Sequence, residues 1–312
     1  MLVSVVIPTY NQAGYLRIAL TSVVTQSYRD IEIVVIDDGS TDETRTVCES
    51  FSDARIRYVF QENDGTGGLG ARNRGILEAR GTWVALLDHD DRWLPEKIER
   101  QLMCAQRVPG AAAVFCPVIF INESGSEQGR QQGPLPEGDV YHFLLSHNRY
   151  YTPSAIFKRT AIAVSGLPSQ SMGFSDWWLW LAIARAHPVA VCQEYLAEYR
   201  VHRESALQGL LLSATRRFAD ENRATLVTQK FLYPRNSKVC RKSYKEGMSM
   251  VAGLYFSAAE ASLRERKFVD LWACLVNCVA VSPLWLLRYP VRAARGLLQA
   301  FLGHPQKVSQ NF

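Results

Sequence analysis

Two patterns of apolar positions alternate along the first part of the chain. Short continuous apolar runs predict buried strands, and segments with apolar residues at helical spacing separate them, as in GYLRIALTSVVTQ. The predicted strands are the run that Pro8 stops, Ile31–Ile36, Ile56–Phe60 and Val84–Leu87. Strands that alternate with helices indicate an α/β fold with a doubly wound, mostly parallel sheet.

Polar residues follow three of these runs directly. Ligands of doubly wound sheets bind beyond the carboxyl ends of the strands, and Pro8-Thr9, Asp37-Asp38 and the segment from Asp88 to Asp91 all fall at such ends. Three carboxylates at one strand end repel each other unless a cation lies among them. Mg²⁺ or Mn²⁺ with a bound diphosphate fits this pattern, since such ions take one or two carboxylates plus phosphates. A polar turn with an Asp capping the next helix is the alternative.

Six segments together resemble the family 2 glycosyltransferases, which have the GT-A fold. They lie in the family's order and approximate spacing over about residues 3–205, and they read SVVIPTYNQAGYL, EIVVIDDGSTDET, GARNRGILEARG, LLDHDDRWLPEKI, FSDWWLWLAIA and YRVHRES. The resemblance implies a catalytic domain over residues 1–205, with a nucleotide-sugar half at about 1–110 and an acceptor half at about 111–205. Residues 206–312 form the remaining predicted region, a helical and basic C-terminal appendage.

The resemblance assigns candidate nucleotide-sugar contacts to the first half. Asp38 resembles the aspartate that bonds the base or ribose, with Asp37 as the competing choice and a helix cap as the alternative for either. Arg72 resembles an arginine that meets the nucleotide, or it forms a surface ion pair. The glycine-rich segment NDGTGGLG before Arg72 is heavier in glycine than the family pattern. The other implied contacts are Pro8, Thr9, Asp88 and Arg200, the last of them on phosphate.

The resemblance also implies a metal, Mn²⁺ or Mg²⁺, at the Asp-x-Asp element. Asp90 is the stronger candidate for direct metal contact, and Asp88 is expected on the ribose or on a metal-bound water. Asp91 is expected to hold the loop or the donor sugar. His202 resembles a family histidine that reaches the diphosphate or the metal. The metal acts as a Lewis acid on the departing diphosphate.

Asp176 is the predicted general base, because FSDWWLWLAIA resembles a family segment in which a Glu-Asp pair opens a helix. Ser175 stands where Glu is common. A helix-start acid stabilised by the helix dipole is the alternative for Asp176. Trp177 or Trp178 could stack on a sugar face, or both are core residues at helical spacing. Within this acceptor half, residues 121–140 predict a loop or hairpin, and Tyr150–Phe157 predicts a strand.

Charge is distributed unevenly along the chain. Residues 205–312 contain 16 Lys and Arg against 6 Asp and Glu, although the whole chain has a net charge of only +5. No nucleic-acid-binding motif accompanies this basic region, so an anionic membrane surface is the better candidate partner. Phe268–Leu287 is apolar but contains Asp270 and Pro283, which favours a helix lying on a membrane, with Trp285 and Tyr289 at its interface, over one spanning it. A soluble helical hairpin packed on the core is the alternative.

Seven scattered cysteines, an odd number, favour a reduced, cytoplasmic setting. The N-terminal MLVSVVIP lacks a basic segment, and no signal peptide is expected.

The sequence therefore predicts an inverting, metal-dependent glycosyltransferase that moves a sugar from a nucleotide sugar, most simply a UDP-sugar. The acceptor is a hydroxyl of a saccharide or lipid-linked molecule, and the setting is cell-surface polysaccharide assembly at the inner face of the membrane. The alternatives are a nucleotide-sugar-binding relative without transfer activity and a nucleotidyltransferase. A processive synthase is disfavoured because no Gln-x-x-Arg-Trp motif is found.

Overall fold

A computed structural model of the chain describes residues 1–63, 65–165, 167, 175–202, 219–220, 222–223, 225–227, 238–264, 268–282 and 285. These residues fall into two compact units. The first contains the described residues of 1–144, 148–170 and 175–201, and the second contains the described residues of 145–147 and 202–312.

The first unit is built on a seven-stranded sheet with the strand order β10-β6-β9-β4-β1-β2-β3. Its strands are β1 (Val3–Thr9), β2 (Ile31–Asp37), β3 (Ile56–Phe60), β4 (Trp83–Leu86), β6 (Ala113–Phe115), β9 (Ile156–Lys158) and β10 (Val189–Val191). Only β9 runs antiparallel to its two neighbours. Every residue of β1 and β4 is buried, as expected for strands covered on both faces. The predicted α/β class with a mostly parallel sheet is confirmed.

Helices connect these strands and carry much of the first unit's core. They are α1 (Ala13–Val24), α2 (Thr44–Ser50), α3 (Leu69–Glu78), α4 (Lys97–Arg107), α5 (Tyr141–Leu144), α6 (Arg159–Ser165) and α7 (Ser175–Ala186). The helix α3 packs closely on the sheet at Gly75, where an added Cβ would lie 2.3 Å from Cγ1 of Val6. Close packing there fixes the direction in which the first turns of α3 approach the strand ends.

A second, four-stranded sheet has the order β5-β11-β7-β8. Its strands are β5 (Arg92–Trp93), β7 (Val118–Ile121), β8 (Glu127–Arg130) and β11 (Ala197–Arg200). The antiparallel pair β7-β8 is a hairpin, as predicted for this polar stretch. The single strand predicted over Tyr150–Phe157 does not form. Thr152–Ser154 forms a 3-10 turn instead, and β9 begins only at Ile156. Pro153 has no N–H to give to a sheet, which favours the turn.

The second unit contains two long helices, α8 (Lys238–Arg264) and α9 (Phe268–Val281), which pack against each other. Trp285 is buried and its ring lies 5.1 Å from that of Phe256, so the predicted place of Trp285 at a membrane interface is wrong. Tyr289 lies outside the described residues. None of the helices in the described part of the chain has the length and apolar character needed to cross a bilayer.

Candidate active site

The strand ends meet at one edge of the large sheet, as the sequence predicts. Thr9 pairs with Asp37 in the register of β1 and β2, and the backbone N–H of Asp38 donates to the carbonyl of Thr9 over 2.9 Å. On the other side of β1, Nδ1 of His89 lies 3.2 Å from the carbonyl oxygen of Pro8. The edge therefore brings together Pro8-Thr9, Asp37-Asp38 and the segment from Asp88 to Asp91.

Asp37 and Asp38 have different surroundings. The carboxylate of Asp37 accepts hydrogen bonds from the Tyr58 hydroxyl at 2.5 Å and from the backbone N–H of Ser40 at 2.8 Å. This second bond closes the turn after β2, so the structure gives Asp37 the turn-stabilising role. Asp38 accepts from Nε2 of Gln61 at 2.6 Å and from Nδ2 of Asn63 at 3.3 Å. The Asp38 carboxylate is therefore held by two side chains, whereas a backbone N–H helps to hold the carboxylate of Asp37.

Two further features lie beside this pair of aspartates. Gly39 has a φ of +85°, and an added Cβ there would lie 2.8 Å from the backbone nitrogen of Asn63, so the turn requires glycine. An open depression of about 260 Å³ adjoins the turn. Its lining is Asp37, Ser40, Asp42, Arg45, Tyr58 and Phe60.

Arg72 projects from α3 to the carboxylates at the end of β4. Its Nη2 donates to Oδ1 of Asp88 over 2.7 Å, and both side chains are largely buried. Burial opposes the charge of Arg72, but the nearby carboxylates of Asp88, Asp176 and Asp90 outweigh it and raise the pKa of the guanidinium. The surface-pair alternative for Arg72 therefore fails, since this cation lies inside a group of acids.

The three acids after β4 form a tight turn, in which the N–H of Asp91 donates to the carbonyl of Asp88. Asp91 is buried, and its Oδ1 accepts from the backbone N–H of Arg200 at 2.7 Å. Burial, followed by the charges of Asp90 and Asp88, raises the pKa of Asp91 well above its ordinary value. Asp91 thus holds the loop, one of its two predicted roles.

Arg200 does not have the predicted role on phosphate. Its side chain is 1% exposed. Its Nε donates to the carbonyl of Asp90 at 2.7 Å, and its Nη1 donates to the carbonyls of Asn122 and Glu123 at 2.8 and 3.0 Å. The guanidinium also lies over the ring of Tyr15, 4.9 Å from its centroid. Arg200 instead ties the acidic turn to the β7-β8 hairpin, because its Nε and Nη1 donate to backbone carbonyls of both.

Asp176 lies in the first turn of α7 and is partly buried. Its Oδ1 accepts from the N–H of Trp177 at 2.5 Å, and its Oδ2 lies 3.4 Å from the Thr152 hydroxyl. Burial raises the pKa of Asp176, Arg72 opposes this rise, and Asp88 adds to it. The structure therefore places Asp176 within electrostatic range of the strand-end acids, although some 85 residues of sequence separate it from Asp90.

Trp177 and Trp178 are both in the core. Trp177 is 1% exposed and donates from Nε1 to the carbonyl of Leu144 at 2.8 Å. Trp178 is 4% exposed, and its Nε1 is buried with no acceptor among the residues that the structure describes. Stacking on a sugar face needs an open ring face, so the core alternative describes both residues and the predicted sugar contact is not supported.

His202 is buried and belongs to the second compact unit. Its predicted contact with the diphosphate or metal stays a prediction from the sequence motif.

Tyr151, Thr152 and Tyr199 are site residues that sequence reasoning missed. Thr152 contacts Asp176, and the two tyrosines lie beside the carboxylates. The available signals were the segments YYTPS and YRVHRES, in which polar aromatic residues flank predicted strands. The first segment predicts a strand and the second matches a family motif, and neither pattern indicates a shared cluster.

The residues at this edge fit a divalent cation that shares its coordination with a ligand. No group of three His, Cys, Asp or Glu side chains in the described part of the chain is placed to hold a metal ion by itself. Two acids nonetheless crowd Asp91, whose buried Oδ2 has no hydrogen-bond partner in those same parts of the chain. A magnesium-type ion takes one or two carboxylates and completes its shell with water and phosphate oxygens.

Comparison with protein families identifies the chain's relatives. The model of the family described as glycosyl transferase family 2 matches residues 4–165. An uncharacterized glycosyltransferase of Rickettsia typhi is 34% identical over 212 residues, which cover 64% of this chain and 64% of the relative. The chain thus matches somewhat less than two thirds of that relative's length. WfgD of Escherichia coli, named a UDP-Glc:alpha-D-GlcNAc-diphosphoundecaprenol beta-1,3-glucosyltransferase, is 29% identical over 206 residues, which cover 65% of this chain and 79% of WfgD.

Solved structures share the fold at low sequence identity. S. aureus TarS 1–349, in complex with UDP-GlcNAc, superposes with a TM-score of 0.67 at 16% identity, covering 96% of this chain and 89% of TarS 1–349. A mannosyltransferase of Pyrobaculum calidifontis, in complex with GDP-Man and Mn²⁺, gives a TM-score of 0.59 at 18% identity and covers 96% and 85%. Because the family model covers more than half of the residues, the chain belongs to glycosyl transferase family 2 and has its GT-A fold.

Proposed function

We propose that the chain is a metal-dependent, inverting glycosyltransferase that moves a sugar from a UDP-sugar to a hydroxyl of a saccharide or lipid-linked acceptor. The observation that carries the proposal is the position of Arg72. Its guanidinium is bonded to Asp88 at the end of β4, and its charge acts on Asp176 at the start of α7. One buried cation therefore connects the candidate donor site with the candidate base.

The donor is assigned to the sheet edge. The open depression beside the turn after β2 provides room for a base or ribose, and Asp38 presents a carboxylate at the same edge. Pro8 and Thr9 contribute backbone and a buried hydroxyl that has no partner among the described residues. Arg72 adds positive charge for the diphosphate and, through its bond to Asp88, orients that carboxylate.

Asp90 and Asp88 would hold the divalent cation, with the donor's phosphates as its other ligands. When bound, the ion supplies Lewis-acid neutralisation of the negative charge that develops on the leaving nucleoside diphosphate. Asp91 and Arg200 keep the acidic turn in place, because the turn is tied to β11 and to the hairpin by hydrogen bonds.

Asp176 would accept the proton of the attacking acceptor hydroxyl. Its carboxylate is held by the N–H of Trp177 and faces Thr152, and burial raises its pKa. A base works best when its pKa lies near the working pH, so a raised value suits this role. A single displacement by the hydroxyl inverts the configuration of the anomeric carbon. Glu198 is less suited to act as the base, because Arg92 engages its carboxylate.

Two relatives support the choice of substrates. The name of WfgD specifies a UDP-glucose donor and an acceptor linked to diphosphoundecaprenol, and TarS was solved with UDP-GlcNAc. A UDP-sugar donor and a role in cell-surface polysaccharide assembly follow from these as proposals for this chain.

Peripheral contact with the inner face of an anionic membrane is part of the same proposal. On α9, Trp272, Val276 and Val279 are exposed at helical spacing, which gives this helix an apolar face. The basic character of residues 205–312 would add attraction to anionic lipid. Vesicles of phosphatidylglycerol should retain the full-length protein at low salt and release it at high salt, whereas the absence of binding at low salt refutes the contact.

The function itself is tested by a screen of nucleotide sugars. The full-length protein is incubated with UDP-, GDP- and dTDP-sugars and either Mn²⁺, Mg²⁺ or EDTA, and thermal stabilisation and nucleoside diphosphate release are measured. The proposal expects metal-dependent stabilisation and release with a UDP-sugar. Binding without turnover in the presence of candidate acceptors would favour the non-catalytic alternative, and pyrophosphate release from a nucleoside triphosphate and a sugar phosphate would favour the nucleotidyltransferase.

A further inference from the structure

Three aromatic residues, Phe120, Tyr151 and Tyr199, form a cluster that we call the aromatic triad. The ring of Tyr151 lies 5.5 Å from that of Phe120 and 5.0 Å from that of Tyr199, and Phe120 and Tyr199 are 6.3 Å apart. Phe120 stands at 82° to Tyr151 and at 86° to Tyr199. The three come from different elements, since Phe120 is on β7, Tyr199 is its partner on β11, and Tyr151 precedes the 3-10 turn.

The triad packs on the core but is not enclosed by it. All three rings contact buried core residues and remain partly exposed. In the described part of the chain, neither tyrosine hydroxyl makes a hydrogen bond, although the buried Tyr150 beside them donates to the carbonyl of Pro136. A tyrosine that only fills a core usually has a partner for its hydroxyl. The two hydroxyls of the triad are therefore available to a ligand.

The triad also joins the two groups of acids in the candidate site. Tyr151 immediately precedes Thr152, whose hydroxyl faces Asp176. Burial raises the pKa of Tyr151, Arg149 opposes this rise, and the charge of Asp176 adds to it. Tyr199 immediately precedes Arg200, whose backbone N–H donates to Oδ1 of Asp91 and whose Nε donates to the carbonyl of Asp90. After burial, the charges of Asp91, Asp90 and Asp88 contribute to the raised pKa of Tyr199. A molecule resting on the two tyrosines would thus lie next to both the candidate base and the candidate donor site.

We propose that the aromatic triad is the acceptor platform, and that it selects an acceptor whose reacting hydroxyl belongs to a pyranose ring. This inference rests on the proposed transferase function and deepens it. A pyranose has an apolar face of C–H groups and a rim of hydroxyls, which matches aromatic rings with free phenolic hydroxyls. An acyclic polyol or a simple alcohol has no such face. The four nearby carboxylates of Asp88, Asp90, Asp91 and Asp176 also disfavour an anionic group on the accepting sugar.

The test compares acceptors and variants with the full-length protein, Mn²⁺ and the UDP-sugar that the screen identifies. Methyl glucopyranoside, methyl galactopyranoside and methyl N-acetylglucosaminide serve as ring acceptors, and glycerol and ribitol serve as acyclic ones. The proposal expects transfer to at least one pyranoside and none to the polyols. Tyr151→Leu and Tyr199→Leu, which keep an apolar side chain but remove the flat ring, should raise the KM for the pyranoside about tenfold. Their effect on the KM for the donor should be smaller.

Matched variants separate the platform from a structural effect. Tyr151→Phe keeps the ring and should stay within about threefold of the wild-type KM for the acceptor, which is under 1 kcal/mol. Tyr195→Leu removes a tyrosine outside the triad, whose hydroxyl donates to the carbonyl of Gln131, and should leave both KM values unchanged. If the Leu variants do not fold, saturation transfer from aromatic protons of the wild type to the ring protons of the methyl pyranosides replaces them, and its absence overturns the proposal.

The outcomes also separate this inference from the proposed function. If the wild type turns over a nucleotide sugar but the Leu variants keep the wild-type KM for the acceptor, the platform is wrong and the transferase function stands. Preferred transfer to glycerol or ribitol likewise overturns the platform alone. If the wild type turns over no nucleotide sugar, the proposed function fails and the platform fails with it.

Discussion

Arg72 donates a hydrogen bond to Asp88 over 2.7 Å, and this bond links α3 to the acidic turn after β4. The same guanidinium opposes the rise of the Asp176 pKa. Arg72 therefore influences both the donor side and the base of the proposed reaction, although it is remote in sequence from Asp176.

Replacing Arg72 by Met should move the pH profile of transfer. Without the cation, the pKa of Asp176 rises further, so the base is protonated up to a higher pH and the acid limb of kcat/KM shifts to higher pH. The KM for the donor should also rise by about 10- to 100-fold, the usual effect of losing a hydrogen bond to a charged group. Arg100→Met, which removes an exposed cation from α4, is the control. An unchanged acid limb would mean that Arg72 does not influence the pKa of the base.

Asp90→Ala should abolish metal-dependent binding of UDP, as measured by calorimetry with Mn²⁺. The fold should survive, and its melting temperature without metal should equal or exceed that of the wild type, because one of three mutually repelling acids is gone. The exposed acid Glu49 offers a control, since Glu49→Gln should bind UDP normally. Wild-type transfer that persists in excess EDTA would contradict the metal assignment.

Arg200→Lys should destabilise the protein while keeping its charge. A lysine cannot reproduce the bonds to the carbonyls of Asp90, Asn122 and Glu123, and unpaired buried carbonyls cost about 1–3 kcal/mol. Urea denaturation measures the loss against Arg45→Lys, an exposed control. If stability is unchanged but the KM for the donor rises, the phosphate role of Arg200 would have to be restored.

Lys97 is a buried lysine whose Nζ lies over the ring of Trp93 and donates to Oε1 of Gln101 at 2.7 Å. Burial lowers its pKa from 10.5 to about 7, against the opposing influence of Cys116 and Cys192. The unfolded chain therefore binds more protons than the folded one between pH 7 and 10.5, and Lys97 makes the free energy of unfolding increase with pH in that window.

Lys97→Met should remove this dependence and raise stability at pH 7. Urea denaturation at several pH values from about 7 to 8.5 should show a wild-type slope that is steeper by up to about 1.4 kcal/mol per pH unit. The measurements stop at about pH 8.5 because burial raises the pKa of the Cys116 thiol to about 11. Above about pH 9 this thiol makes its own contribution to the pH dependence of stability. Equal slopes for the two proteins would mean that Lys97 is charged in the folded state.

Much of the fold was predictable because it rests on local patterns. The run Ile31–Ile36 predicted β2 (Ile31–Asp37), because continuous apolar runs bounded by turns are typical of buried parallel strands. Ile56–Phe60 matched β3, an edge strand whose residues are partly exposed. The meeting of Thr9, Asp38 and Asp88 at one edge followed from the parallel order alone. The exact start of α3 was not predictable in this way. Its N-cap, Gly68, has a φ of +88° and belongs to a loop whose glycines permit many conformations.

Features that depend on tertiary packing were not predictable in the same way. Lys97 is a charged residue on α4, and only the fold shows that it faces the interior. The resemblance implied a phosphate contact for Arg200, but the partners of its Nε and Nη1 are backbone carbonyls far away in sequence. The aromatic triad joins three elements whose mutual position no sequence spacing specifies.

In the proposed reaction, Asp176 removes the acceptor proton while the strand-end acids hold the donor. Asp176→Asn separates this role from a structural one, because Asn keeps an oxygen for the N–H of Trp177 but cannot take a proton. Steady-state transfer is measured together with the melting temperature and with UDP binding in Mn²⁺. If Asp176 is the base, transfer should fall about 10²–10⁴-fold with UDP affinity and melting temperature nearly unchanged. Transfer near the wild-type rate would contradict this role, because Asp176 would then serve only to start α7.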